Sequence, residues 1–96
     1  MEQRIIAIYC LVDEMVKQSG LKDDVRAIIS NSEVLTMGYL AVSDFNGNYR
    51  KAHQYFNASG WFKAIDYSRF IRRLNVLQTV IEEIFSSLSA LFSRVN

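Results

Sequence analysis

The sequence contains no proline, only four glycines and a single cysteine. Few helix breakers favour long helices, because proline breaks a helix and an internal glycine weakens one. Cys10 alone cannot form a disulfide framework or a thiolate metal cluster, and we expect it on or near a buried helix face. Asp13 and Glu14 interrupt the first apolar run, and no segment is long and uncharged enough for a membrane span. We therefore expect a cytoplasmic protein without a membrane partner.

The sequence also lacks the usual patterns of catalysis. It has no glycine-rich phosphate loop, no metal-ligand cluster and no histidine paired with a nucleophile. Its adjacent acidic pairs, at 13–14, 23–24 and 82–83, point about 100° apart on a helix and so do not converge. His53 is the only histidine, and we expect a surface side chain or a DNA contact there. We expect no enzyme activity, cofactor, metal or small-molecule substrate.

What the sequence does contain is typical of one small globular domain. Half of its 96 residues are apolar and 22% are charged. We predict a single all-α domain over residues 1–96, with four to five helices and a helix-turn-helix-like unit. Residues 1–66 form its helical core, and residues 67–95 form a long basic helix with a heptad pattern.

Three helices are predicted in the core, at about 2–19, 30–45 and 49–58, with a short helical turn at 22–29 between the first two. Ser30 and Glu33 have the spacing of a capping box at the start of the second. This second helix is apolar almost all round, so we expect neighbours on several of its sides.

Two small or polar residues are predicted to shape the second and third helices. Gly38 lets a neighbouring helix approach the second one closely. Asn48 is placed to cap the third.

The last helix is predicted to begin near Tyr67 and to run to about Arg94. Its apolar residues alternate at spacings of four and three, an unbroken heptad seam: Phe70, Leu74, Leu77, Ile81, Ile84, Leu88 and Leu91. This seam folds back on the first helix or pairs with a second copy of the chain. We favour a homodimer, formed through Leu77, Ile81, Ile84, Phe85, Leu88, Leu91 and Phe92.

The net charge of +1 conceals an uneven distribution. Residues 1–46 carry four basic and seven acidic side chains, whereas residues 47–81 carry six basic side chains and one acidic. Basic charge concentrated in one block indicates a binding site for a polyanion.

The basic block also has the order of a helix-turn-helix, in which the second helix enters the major groove of DNA. Arginine suits such a helix because its rigid fork can bind a phosphate or the acceptor pair of guanine. The connector at 60–66 is longer than the usual turn. The predicted DNA-binding residues are Arg50, Lys51, Lys63, Ser68, Arg69, Arg72, Arg73 and Asn75.

Two runs, Gly47-Asn48-Tyr49-Arg50-Lys51-Ala52 and Ser68-Arg69-Phe70-Ile71-Arg72-Arg73-Leu74, resemble the N-terminal region of DDE-type bacterial insertion-sequence transposases. Ile5-Ile6-Ala7-Ile8-Tyr9 and Ser32-Glu33-Val34 are similar to that family too, so the resemblance spans nearly the whole chain. It implies a helical region that binds the terminal inverted repeats and precedes an RNase-H-like catalytic domain. The family usually has Asn and His where this chain has Ile71 and Asn75.

We therefore expect a non-catalytic DNA-binding domain of a transposase, or a remnant of one, that binds duplex DNA through a basic helix. The chain resembles an excised domain, the product of a truncated gene or a stand-alone remnant. The alternative is a helical interaction module that forms oligomers and does not bind DNA. Burial of Arg69, Arg72 and Arg73 in salt bridges with Glu33 or Asp44 would favour that alternative.

Overall fold

The computed structural model describes residues 2–95, and the side chains of residues 2–91. It has five helices in chain order: α1 (Glu2–Ser19), α2 (Asn31–Asp44), α3 (Tyr49–Ser59), α4 (Tyr67–Val76) and α5 (Gln78–Val95). The described residues include no strand. The prediction of an all-α fold with four to five helices is confirmed.

Helix α2 lies at the centre and contacts α1, α3 and α4. Its residues from Val34 to Ala41 are all buried, as the apolar pattern predicted. The predicted capping box is present at its start: Glu33 N–H donates to Ser30 Oγ at 3.1 Å, and Ser30 N–H donates to the Glu33 carboxylate at 2.8 Å. These bonds satisfy two of the amides that the first turn of a helix leaves free.

At Gly38, the side chain of Leu74 in α4 packs directly against the backbone of α2. A Cβ atom added there would lie 2.8 Å from Cδ2 of Leu74, closer than carbon atoms approach without displacement. The predicted close approach at Gly38 is confirmed, and it fixes α4 against the centre of the domain.

The turn between α2 and α3 requires left-handed backbone at Asn46 and Gly47, where φ is 54° and 81°. Asn48 then caps α3, because its side chain accepts a hydrogen bond from Lys51 N–H at 3.0 Å. This confirms the predicted cap.

The single helix predicted from Tyr67 onward is instead divided at Leu77. The Leu77 N–H donates to the carbonyls of Arg73, at 3.1 Å, and Leu74, at 3.2 Å, which tightens the last turn of α4. Helix α5 begins at the next residue. Residues 67–95 therefore form two helices instead of one.

Helix α5 packs on α1 of the same chain. Leu77, Ile84 and Leu88 are 5%, 5% and 0% exposed. Helices of their own chain cover these three predicted dimer residues, which leaves little of their surface for a second copy. Apolar spacing alone does not distinguish a partner helix from another helix of the same chain.

The remaining predicted dimer residues with described side chains are less completely covered. Ile81 and Phe85 are half-buried, and the Phe85 ring meets Tyr39 edge-on at 5.4 Å. Leu91 is 42% exposed. Phe92 lies outside the residues whose side chains the structure describes.

Two further residues differ from expectation. Cys10 is exposed rather than on a buried face. His53, expected at the surface, is only 9% exposed, and its ring packs against Tyr67 and Phe70. Its Nε2 lies at hydrogen-bonding distance from the carbonyl of Ile65, so the imidazole holds the α3–α4 connector in place instead of reaching solvent.

Candidate nucleic-acid interface

Helix α4 has one side in the core and one side in solvent. Phe70 and Leu74 anchor the inner side, with 0% and 6% exposure. The outer side is formed by exposed residues that a winding of about 100° per residue places in one arc: Ser68, Arg69, Arg72, Asn75 and Val76. We call these five residues the outer face of α4. Four of them are polar or basic, and Ser68, Arg69, Arg72 and Asn75 belong to the predicted DNA-binding set.

Arg73 is not part of this outer face, although it follows Arg72 directly. Its guanidinium donates to the carbonyl of Ile29 and, at 3.0 Å, to Oδ1 of Asn31. Asn31 N–H in turn donates to the carboxylate of Asp23 at 2.6 Å. Arg73 thus ties α4 to the start of α2, a structural role that its position in the sequence did not reveal.

Burial has an electrostatic consequence for Arg73. Partial desolvation lowers the pKa of its guanidinium, because water no longer stabilises the charge fully. Asp23, Glu33 and Asp24 oppose that effect. Arginine remains charged in proteins, so the group is a fixed cation at the edge of the domain.

Arg69 and Arg72 are free enough to bind another molecule. The Nε atom of Arg69 lies 3.7 Å from the Asp66 carboxylate, and both side chains are more than half exposed. That distance exceeds the 2.7–2.9 Å of a strong charge-assisted bond. Arg72 is exposed and forms no ion pair with any described residue.

Arg50, Lys51 and Lys63 are also exposed, as predicted for residues that contact a phosphate backbone. Arg50 lies over the ring of Tyr67, with its Cζ atom 4.2 Å from the ring centre. This cation–π contact holds one α3 guanidinium beside the first turn of α4. The sequence predicted Arg50 as a DNA-binding residue and Tyr67 as the start of the last helix, but not the contact between them.

The two carboxylates that would have disfavoured DNA binding are engaged elsewhere. Asp44 pairs with Arg4 at 2.8 Å. Glu33 accepts the Ser30 amide in the capping box. Neither forms a salt bridge with Arg69, Arg72 or Arg73 among the described contacts.

The structure adds one basic residue that sequence reasoning missed. Arg26 belongs to the connector between α1 and α2, and this connector lies against α4. Arg26 and three α4 arginines line one groove, which we call the arginine groove: Arg26, Arg69, Arg72 and Arg73. No sequence pattern marked Arg26 as a binding residue. It follows Asp23 and Asp24 in the acidic part of the chain, in a segment without helical periodicity.

The described residues offer no other obvious functional centre. They contain no group of three or more His, Cys, Asp or Glu side chains that could hold a metal ion. None of the described helices combines the length and the apolar character needed to cross a membrane.

Comparison with known proteins adds no relative. No protein-family model, curated protein or solved structure matches the chain. The similarity to transposase N-terminal regions therefore remains a prediction from the residues quoted above.

Proposed function

We propose that this chain is a non-catalytic domain that binds duplex DNA through the outer face of α4. The resemblance to insertion-sequence transposases makes the terminal inverted repeats of such an element the expected target. In this proposal the chain is a domain or a remnant of such a transposase, and it needs no cofactor.

One observation carries the proposal. Helix α4 is held firmly by Phe70 and Leu74, while Arg69 and Arg72 on its other side remain exposed and without tight ion pairs. A rigid helix with free guanidinium groups can bind DNA phosphates or guanine edges at little entropic cost. Ser68, in the first turn of α4, is suited to a backbone phosphate.

Fluorescence anisotropy with labelled duplexes tests the proposal. We expect binding at low salt to both a random duplex and an inverted-repeat duplex. Arg72→Ala should weaken binding by roughly tenfold, because one charge-assisted contact is lost.

Lys17→Ala is the matched control for Arg72→Ala. It removes the same charge from α1, where Lys17 pairs with Asp13 at 3.1 Å, and should leave the affinity for DNA unchanged. Arg73 is unsuitable for this test because it also supports the fold. Failure of both duplexes to bind, or equal losses for Arg72→Ala and Lys17→Ala, contradicts the proposal.

A homodimer remains a separate proposal, supported now only by the apolar residues of α5 that their own chain covers incompletely. Leu91 is 42% exposed, and Ile81 and Phe85 are half-buried. The same residues support the alternative function, a helical interaction module without DNA binding. A monomer mass by light scattering at micromolar concentration would exclude self-association at that concentration.

A further inference from the structure

The arginine groove lies between α4 and the connector that joins α1 to α2. It has a volume of about 220 Å³, and its apolar lining includes Ile28 and Ile65. Pockets for drug-sized ligands are usually larger, roughly 300–1,000 Å³. The groove thus suits a small group rather than an extended organic molecule.

The charge of the groove is of one sign. Four arginines are among its lining residues, and no acidic residue is. Asp24 lines an adjoining depression, where Arg72 and Arg73 also contribute. Four like charges around one small space repel each other, and an anion placed among them relieves that repulsion.

Arg73 is the fixed part of the groove. Its bonds to the Ile29 carbonyl and the Asn31 side chain hold the guanidinium in one orientation. Arginine has five N–H donors, and these two bonds use two of them. The remaining donors are positioned before any ligand arrives, which lowers the entropic cost of binding.

The other three arginines are able to turn toward a ligand. Arg26 is paired with Asp24 only at 3.7 Å, with 89% of its side chain exposed, and Arg69 is similarly distant from Asp66. Arg72 has no ion pair among the described residues. Guanidinium groups bind phosphate through two parallel N–H···O bonds, so several of them around one space match a tetrahedral oxyanion.

We infer that the arginine groove binds a single phosphate group, held by Arg73 in a fixed orientation and closed over by Arg26, Arg69 and Arg72. This deepens the proposed function and rests on it for one point, that the phosphate belongs to a DNA backbone. The same chemistry would bind free inorganic phosphate. Arg26, in the connector and outside the predicted DNA-binding set, thereby becomes a binding residue.

Titration of the full chain with inorganic phosphate, against chloride at equal ionic strength, tests the groove directly. We expect saturable changes in the Nε–H NMR signals of the four groove arginines, and roughly tenfold weaker binding in Arg26→Ala. Lys17→Ala is the matched control: it removes a positive charge from α1, outside the groove, and should leave phosphate binding unchanged. Arg26 is largely exposed, so its replacement should not disturb folding.

A parallel DNA titration separates the groove from the proposed function. If the groove holds a backbone phosphate, Arg26→Ala also reduces the salt dependence of DNA binding by about one contact, a change of roughly 0.9 in the log–log slope. Phosphate binding without DNA binding would support the groove and overturn the proposed function. DNA binding with no phosphate response, and with Arg26→Ala equal to wild type, would overturn the groove alone. No response to either ligand overturns both.

Discussion

Arg72 and Arg73 are neighbours in the chain with different surroundings. Helical winding places the two arginines on the same side of α4, and the sequence therefore predicted that both bind DNA. Only the tertiary contacts of Arg73 with Ile29 and Asn31 distinguish them. His53 illustrates the same limit, because the carbonyl of Ile65 that it approaches belongs to a connector whose path no periodicity predicts.

Replacing these two arginines should separate stability from binding. We expect Arg73→Ala to lower the free energy of unfolding by about 1–3 kcal/mol, because two hydrogen-bond acceptors lose their charged donor. Arg72→Ala should change the free energy of unfolding by less than about 0.5 kcal/mol, because the Arg72 side chain is exposed and has no ion pair among the described residues. Urea unfolding measures both values, and equal effects would contradict the assignment.

Asp13 gives a prediction about pH. Its carboxylate accepts a hydrogen bond from Ser32 Oγ at 2.7 Å and pairs with Lys17, and these contacts lower its pKa below the usual 3.8. A lowered pKa in the folded state adds stability above the unfolded value, and that stability is lost as the pH falls through the folded value. We expect the free energy of unfolding to decrease as the pH falls below about 4.

Ser32→Ala removes the larger cause of that shift. The Asp13 pKa, measured by carboxyl NMR titration, should rise toward 3.8, and the acid-side loss of stability should become smaller. An unchanged Asp13 pKa in this variant would show that the hydrogen bond to Ser32 is not its cause.

At the scale of the helices, the sequence predicted most of the boundaries but not the division at Leu77. Capping residues are local signals: Ser30, Glu33 and Asn48 act within four residues of their own positions, and their predicted bonds are present. The end of α4 carries no such local signal, because the apolar spacing continues unbroken across Leu77.

Gly38→Ala tests the approach of α4 to α2. Alanine favours a helix over glycine by about 1 kcal/mol, yet the new methyl group would meet Leu74 at 2.8 Å. We expect the clash to prevail and the free energy of unfolding to fall by roughly 1–3 kcal/mol. Ser43→Ala, at an exposed position of the same helix, should be within about 0.5 kcal/mol of wild type. A stabilised Gly38→Ala protein would mean that the two helices are further apart.

Leu88→Ala tests whether α5 is covered by its own chain or by a second copy. Leu88 is fully buried within the chain, so we expect a loss of about 2–5 kcal/mol in denaturant unfolding. The midpoint should not depend on protein concentration, because the covering helices belong to the same chain. The next residue, Ser89, is exposed, so Ser89→Ala should have little effect on the free energy of unfolding. A midpoint that rises with concentration would restore the dimer interpretation of this seam.

In the molecule as a whole, the fold brings basic residues of different segments together at the surface. Exposed basic residues of α3, the α3–α4 connector and α4 remain available to an anion, while Arg73 and the missed residue Arg26 form a groove beside them. The basic block was predictable because charge is read directly from the sequence. The groove was not, because it forms where two segments more than forty positions apart come together.

The most direct test of the DNA-binding proposal is the affinity of the wild-type chain for duplex DNA over a series of salt concentrations. Each phosphate neutralised contributes about −0.9 to the slope of log K against log salt concentration. With five exposed basic residues in the predicted set (Arg50, Lys51, Lys63, Arg69 and Arg72), we expect a slope of roughly −3 to −4.5. Absence of binding at low salt, or an affinity that does not change with salt, would contradict the proposal.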